Sequence, residues 1–128
     1  MKLVLNTWQF DVLVITYLFG DILSDLAAGM VGGLGMALGA NIGVAAAIFE
    51  AVHGSAPDIA GKGIANPTAL LLAAAMMLDH VKLTGKATRL RKALDAALNV
   101  EKVRTGDLGA KSTTAEFTEA LVSRIANG

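Results

Sequence analysis

The hydrophobic pattern changes period several times along the chain, and each change predicts an element. Phe10-Asp-Val-Leu-Val-Ile-Thr16 is an apolar, β-branched run of strand length, and Leu3-Val-Leu5 reads as its antiparallel partner across the Asn6–Gln9 connection. From about Gly20-Asp21 the spacing turns helical, with Ile22, Leu23, Leu26, Ala27 and Met30 on one stripe and Gly32-Gly33 as the stop. Ala45–Val52 is another run of strand length, broken only by Glu50, and it feeds a loop rich in Gly, Ser, Pro and Asp.

The second half predicts helices. Asn66 is a good N-cap and Pro67 suits the first helical position, after which Leu70 to Leu78 is apolar nearly all round, as in a core helix. Gly85 reads as the end of that helix and the release of the next, where Leu90, Ala93, Leu94, Ala97 and Leu98 are set to be buried while Lys86, Arg89, Arg91 and Lys92 stay wet. Thr113-Thr-Ala-Glu116 matches a capping box in front of a terminal helix with Phe117, Leu121, Val122 and Ile125 on one face. The expectation is an α/β fold: short strands near the N-terminus and in the middle, packed with about four helices in a single compact domain over residues 1–128.

Composition agrees with a packed core, since 54% of the 128 residues are hydrophobic and 17% charged. Eleven basic and eleven acidic residues cancel, which argues against nucleic acid as a partner and supplies little repulsion against self-association. Residues 1–60 hold Lys2 against Asp11, Asp21, Asp25, Glu50 and Asp58, a net −4, so the remainder carries +4. With no cysteine there is neither a disulfide framework nor a thiolate metal site, which is compatible with a cytoplasmic setting. Leu26 to Phe49 lacks charge for 24 residues, long enough to span a bilayer, but Gly29, Gly32, Gly33, Gly35, Gly39, Gly43 and Asn41 suit turns better than one helix, so no membrane span is expected. Met1–Gln9 lacks the apolar core of a signal peptide.

Three groups of residues are candidates for chemistry. Asp21 and Asp25, four apart on the predicted helix, project from one face and suit a hard divalent cation; the alternative is that they complement the helix dipole in a first turn. The loop His53-Gly-Ser-Ala-Pro-Asp-Ile-Ala-Gly-Lys-Gly-Ile-Ala-Asn66 lies between a strand and a capped helix, where backbone can approach a ligand and Asp58 can accept from ribose hydroxyls. It matches neither standard phosphate motif, because Asn66 stands where the dinucleotide fingerprint needs Gly or Ala and Lys62 lacks the P-loop flanks. His53 and His80, 27 residues apart, form no zinc pattern; His80 is read as facing helix C-terminal carbonyls and His53 as the better ligand. No G-x-S-x-G is present, and no catalytic residue is assigned.

Taken in order, Leu18-Phe-Gly-Asp-Ile-Leu-Ser-Asp25, Gly32-Gly-Leu-Gly-Met36, Gly39-Ala-Asn-Ile-Gly43, Phe49 through Pro67 and Met76-Met-Leu-Asp79 form a specific set. From about Phe10 to about Ile125 the chain resembles the C-terminal part of the NAD-dependent β-decarboxylating dehydrogenases, and it is more similar to the isocitrate than to the isopropylmalate branch. The resemblance implies that Asp21 and Asp25 are metal ligands for Mg²⁺ or Mn²⁺. It likewise implies that Glu50, His53, Gly54, Ser55, Ala56, Asp58, Ile59 and Asn66 belong to the NAD loop, with Asp58 at the ribose position. It further implies a cytoplasmic bacterial or mitochondrial parent, and a homodimer formed through the helix that starts near Asp21, which helps build a four-helix bundle in the family. The family's substrate-binding serine and arginines, its catalytic tyrosine, and the lysine and further aspartate from a partner subunit have no counterpart here.

The motifs also depart from the family pattern: Ile15-Thr-Tyr17 replaces Thr-Pro-Asn, Leu38 stands where proline is usual, and Val44-Ala45 replaces polar or acidic residues. Together with Leu5 and Trp8 these read as repacking of a truncated surface, hence an excised and redesigned, non-catalytic fragment with at most weak NAD and metal binding. The alternative is a partial chain or subunit of an active NAD- and Mg²⁺- or Mn²⁺-dependent isocitrate dehydrogenase.

Overall fold

A computed structural model describes residues 1–127, apart from the side chain of Leu34. Five helices occur in it: α1 (Lys2–Leu5), α2 (Tyr17–Met30), α3 (Thr68–His80), α4 (Thr84–Asp95) and α5 (Thr114–Asn127). Strands β1 (Leu38–Ile42) and β2 (Ala47–Ala51) pair antiparallel, with Leu38 opposite Ala51 and Ile42 opposite Ala47. No described helix is long and apolar enough to cross a membrane.

The sheet differs from expectation at both ends. Leu3–Leu5 lies in α1, and Phe10–Thr16 runs without a ladder. A β-branched run needs a neighbouring backbone to become a strand, and this one has none, so Val14 stands 96% exposed. The strand predicted over Ala45–Val52 forms as β2, but its partner β1 was missed. Gly39 and Asn41 are poor strand formers, and tertiary context overrides them. Gly39 fits because an added Cβ would lie 3.3 Å from Val52 Cγ2. The hairpin closes where Gly43 N–H donates to Ala46 O at 2.9 Å.

The core lies between the second-half helices. Ala93, Leu94, Phe117 and Leu121 form its buried cluster, with Leu71, Leu72, Leu90, Leu98, Val103 and Ile125 packed against it. The α4 stripe is therefore buried as its spacing predicts, and Lys86, Arg89, Arg91 and Lys92 remain exposed. On α5, Val122 falls outside the apolar face and is exposed. The sheet reaches this core through β2, which packs on α3, and α3 packs on α4.

Helix ends follow identifiable hydrogen bonds. At the end of α2, Gly33 N–H donates to Ala28 O at 2.8 Å around Gly32 at φ 117°, the stop that the two glycines predict. Asn66 caps α3 through Oδ1, which accepts from Thr68 N–H at 3.0 Å, although Pro67 is the boundary residue. The end of α3 differs from expectation. Leu83 N–H donates to Leu78 O at 2.8 Å and Lys82 N–H to Asp79 O at 3.0 Å, so Lys82 at φ 64° is the left-handed terminator. Gly85 lies inside α4.

Of the residues read as surface repacking, all but Leu38 are left exposed by the chain's own fold. Leu5, Trp8, Ile15, Tyr17 and Val44 are exposed, and Leu38 is half-buried at the start of β1.

Candidate functional site

α2 begins at Tyr17, one turn earlier than the hydrophobic stripe suggests, so no acidic residue stands in its first turn. That removes the helix-dipole account of Asp21 and Asp25. Both are exposed, and the Ser24 hydroxyl between them is occupied locally, donating to Asp21 O at 3.0 Å.

Across from this face the chain leaves β2 and enters the glycine-rich loop. Asp21, Ser24 and Asp25 line a cleft of about 330 Å³ together with Val52, His53 and Gly54. The fold thus joins the two carboxylates to the first residues of the predicted cofactor loop, from segments about thirty residues apart. His53 Nδ1 lies 3.0 Å from Gly54 O, and since a carbonyl only accepts, Nδ1 is the donor in that bond. Val52 was missed by sequence reasoning, because its apolar side chain gives no chemical signal.

The other predicted loop residues lie outside that cleft. Glu50 is on the exposed face of β2, where its Oε1 accepts from Asn41 Nδ2 at 2.8 Å. Ser55 and Ala56 are exposed, and Ala56 at φ 42° turns the chain into a short 3-10 segment, Pro57–Ile59, that presents Asp58 to solvent with Ile59 half-buried. Asn66 is committed to structure on two sides: besides its cap, Nδ2 donates to Asp107 Oδ2 at 2.8 Å. His80 was expected at the α3 carbonyls, but its ring packs on Phe49 with centroids 5.4 Å apart and planes tilted by 56°. An aromatic neighbour across the β2–α3 contact outcompetes the helix end.

Two aspartates offer hard oxygen donors of the kind Mg²⁺ and Mn²⁺ prefer, and the cleft beside them is polar and open, so the residues fit such an ion. Among the described residues, no group of three or more His, Cys, Asp or Glu could enclose a metal. Asp21 and Asp25 can therefore supply part of a coordination shell, with the rest left to water, substrate or another polypeptide.

Residues 1–121 match the family model described as isocitrate/isopropylmalate dehydrogenase. The chain is 59% identical over 125 residues to an isocitrate/homoisocitrate dehydrogenase of Thermus thermophilus, covering 98% of this chain and 37% of that protein. It is 54% identical over 126 residues to the mitochondrial NAD isocitrate dehydrogenase catalytic subunit 5 of Arabidopsis thaliana, covering 34% of it. The crystal structure of isocitrate dehydrogenase from Methylococcus capsulatus superposes with a TM-score of 0.91 at 55% identity, over 97% of this chain and 37% of that one. The chain thus spans little more than a third of the length of the relatives it matches. Sequence and backbone agree over nearly all of it, and the chain belongs to the isocitrate/isopropylmalate dehydrogenase family.

Proposed function

We propose that this chain carries the metal-facing and dinucleotide-facing part of an isocitrate dehydrogenase site and is non-catalytic by itself, with at most weak binding of NAD and a divalent cation. The observation that carries this reading is the cleft where Asp21 and Asp25 meet His53 and Gly54. Asp21 and Asp25 would hold Mg²⁺ or Mn²⁺, and the Gly54–Asn66 loop with Asp58 would hold the dinucleotide. In a complete site the cation would supply Lewis-acid polarisation of a carbonyl oxygen and NAD would supply a hydride acceptor. The chain's own residues would bind and orient: Asp21 and Asp25 would supply carboxylate oxygens to the ion from one wall of the cleft, and His53 and Gly54 would lead the loop toward the cofactor. Hydride transfer also needs a held substrate and an acid/base group, and this cleft offers no clamp of basic side chains.

A second reading is a partial chain of an active NAD- and Mn²⁺-dependent enzyme, completed by further polypeptide. It is favoured by the cleft in which the two aspartates meet His53 and Gly54, the first residues of the glycine-rich loop. Isocitrate, NAD and Mn²⁺ added to the pure chain separate the two. No NADH above a protein-free control is expected, and metal- and isocitrate-dependent NADH would overturn the first reading. We also propose that the chain pairs with a second copy through α2.

A further inference from the structure

The segment from Thr105 to Thr114 takes no part in the metal cleft, yet it holds the far arm of the glycine-rich loop at three points. Asn66 Nδ2 donates to Asp107 Oδ2 at 2.8 Å. Thr114 N–H donates to Gly63 O at 2.8 Å, and Thr114 Oγ1 donates to Ala65 O at 2.6 Å. Asp107 is itself fixed, because the fully buried Thr105 donates from Oγ1 to Asp107 Oδ1 at 2.5 Å. Gly35 closes the remaining side: a Cβ there would lie 3.1 Å from Asp107 Oδ2 and 3.2 Å from Asn66 Cβ.

These bonds decide how the Asn66 amide points. A carboxylate only accepts, so Nδ2 must face Asp107; a backbone N–H only donates, so Oδ1 must face Thr68. Both partners demand the same orientation. A primary amide has two N–H donors and two oxygen lone pairs; Nδ2 also donates to Met36 Sδ at 4.0 Å, so the capacity left for a ligand is one lone pair on Oδ1. Without Asp107 only the cap and the long contact to Met36 Sδ would hold the amide, and the arm would lose one of its three ties.

We propose that Asp107 is a positioning residue for dinucleotide binding, acting through Asn66 and, with Thr114, fixing the Gly63–Asn66 arm of the loop. The proposal rests on the reading of that loop as the NAD loop. Asp107 need not touch the ligand; its contribution is preorganisation, which lowers the ordering cost that binding must overcome.

The test is NMR titration of the chain with NAD⁺ and, separately, with Mn²⁺, comparing wild type, D107A, D107N and T114V. In D107A the dissociation constant read from NAD⁺-dependent shifts of the His53–Asn66 amides rises about tenfold, while Mn²⁺ broadening around Asp21 and Asp25 stays within about twofold. D107N keeps an oxygen to accept from Asn66 and stays within about threefold of wild type; T114V, which loses only the bond to Ala65, falls between. An unchanged NAD⁺ constant in D107A overturns the proposal, as does joint loss of the NAD⁺ and Mn²⁺ responses, which marks a merely structural role. If D107A does not fold, T114V decides, and an unchanged constant there overturns it. Wild type without any NAD⁺ response defeats the NAD-loop reading itself, whereas failure confined to the variants defeats only the role of Asp107.

Discussion

Thr113 and Glu116 cap each other at the start of α5: Thr113 N–H donates to Glu116 Oε2 at 2.8 Å, and Glu116 N–H donates back to Thr113 Oγ1 at 3.2 Å. The Thr113 hydroxyl adds a bond to the same carboxylate oxygen at 3.0 Å. Backbone donation from Thr113, then the hydroxyl, holds the Glu116 carboxyl below its ordinary value of 4.5.

Because its folded value is depressed, Glu116 contributes stability that is present above pH 4.5 and is lost as the pH falls through the lower folded value. Glu116→Gln keeps one amide oxygen as acceptor but cannot titrate. Its urea midpoint is expected to fall slightly at neutral pH and to converge on wild type once the pH has fallen through the depressed folded value, measured by circular dichroism over a pH series. A constant gap across that series defeats the assignment.

At the end of α3 the terminator is a lysine in the left-handed region, while the nearest glycine sits five residues beyond His80, where it is not needed. Lys82→Gly should stabilise the chain by about 0.5–1 kcal/mol, since a Cβ at φ 64° is strained and glycine is not. Gly85→Ala should add about 0.5–1 kcal/mol, as its Cβ meets nothing within 4 Å and the position is helical. Both appear as higher thermal midpoints; a fall with Lys82→Gly would mean that the lysine side chain matters more than its backbone.

That pair is a local signal that misleads, because Gly85 reads as the end of α3 and Lys82 ends it. Other signals that act within a few residues are legible: the Thr113–Glu116 box, the Gly32-Gly33 stop, the Asn66 cap and the α4 stripe all form as their spacing predicts. Signals that need a distant partner mislead in both directions. Phe10–Thr16 has the side chains of a strand and no neighbour, whereas Leu38–Ile42 has weak strand formers and pairs with β2. The site divides in the same way. The motifs pick out Asp21, Asp25 and His53, but Asp107 lies 41 residues from Asn66 and only the fold brings them together.

Phe117 is the largest wholly buried side chain and sits where α5 closes on Ala93 and Leu94. Phe117→Ala removes most of a ring and leaves a cavity, at a cost of about 3–5 kcal/mol. Domains of this size hold about 5–15 kcal/mol in total, so about a fifth or more of the stability goes with it. Phe117→Leu, which refills most of the volume, should cost well under half as much. Denaturant midpoints give both values, and a change below about 1 kcal/mol for the alanine variant would show that the α4–α5 packing is not the core.

The α2 stripe bears on self-association. Within one chain Ile22 is 62% exposed and Leu26 and Met30 are each 44% exposed, so the face that the sequence marks as apolar is left largely uncovered by its own fold. Gly29 lies beside it, and an added Cβ there meets nothing within 4 Å, so this chain's own packing does not require a glycine at that position. A second helix approaching closely would use that small residue. Burying about 500 Å² of apolar surface per chain is worth on the order of 12 kcal/mol gross for each chain, much of it offset by lost rigid-body freedom, and the zero net charge supplies no repulsion. Sedimentation equilibrium at tens of micromolar is expected to give a symmetric dimer, and Leu26→Asp a monomer, since a charge on the apolar face must be buried for pairing to occur. A single 13.1 kDa species for wild type, or a Leu26→Asp variant as dimeric as its parent, places the contact elsewhere or removes it.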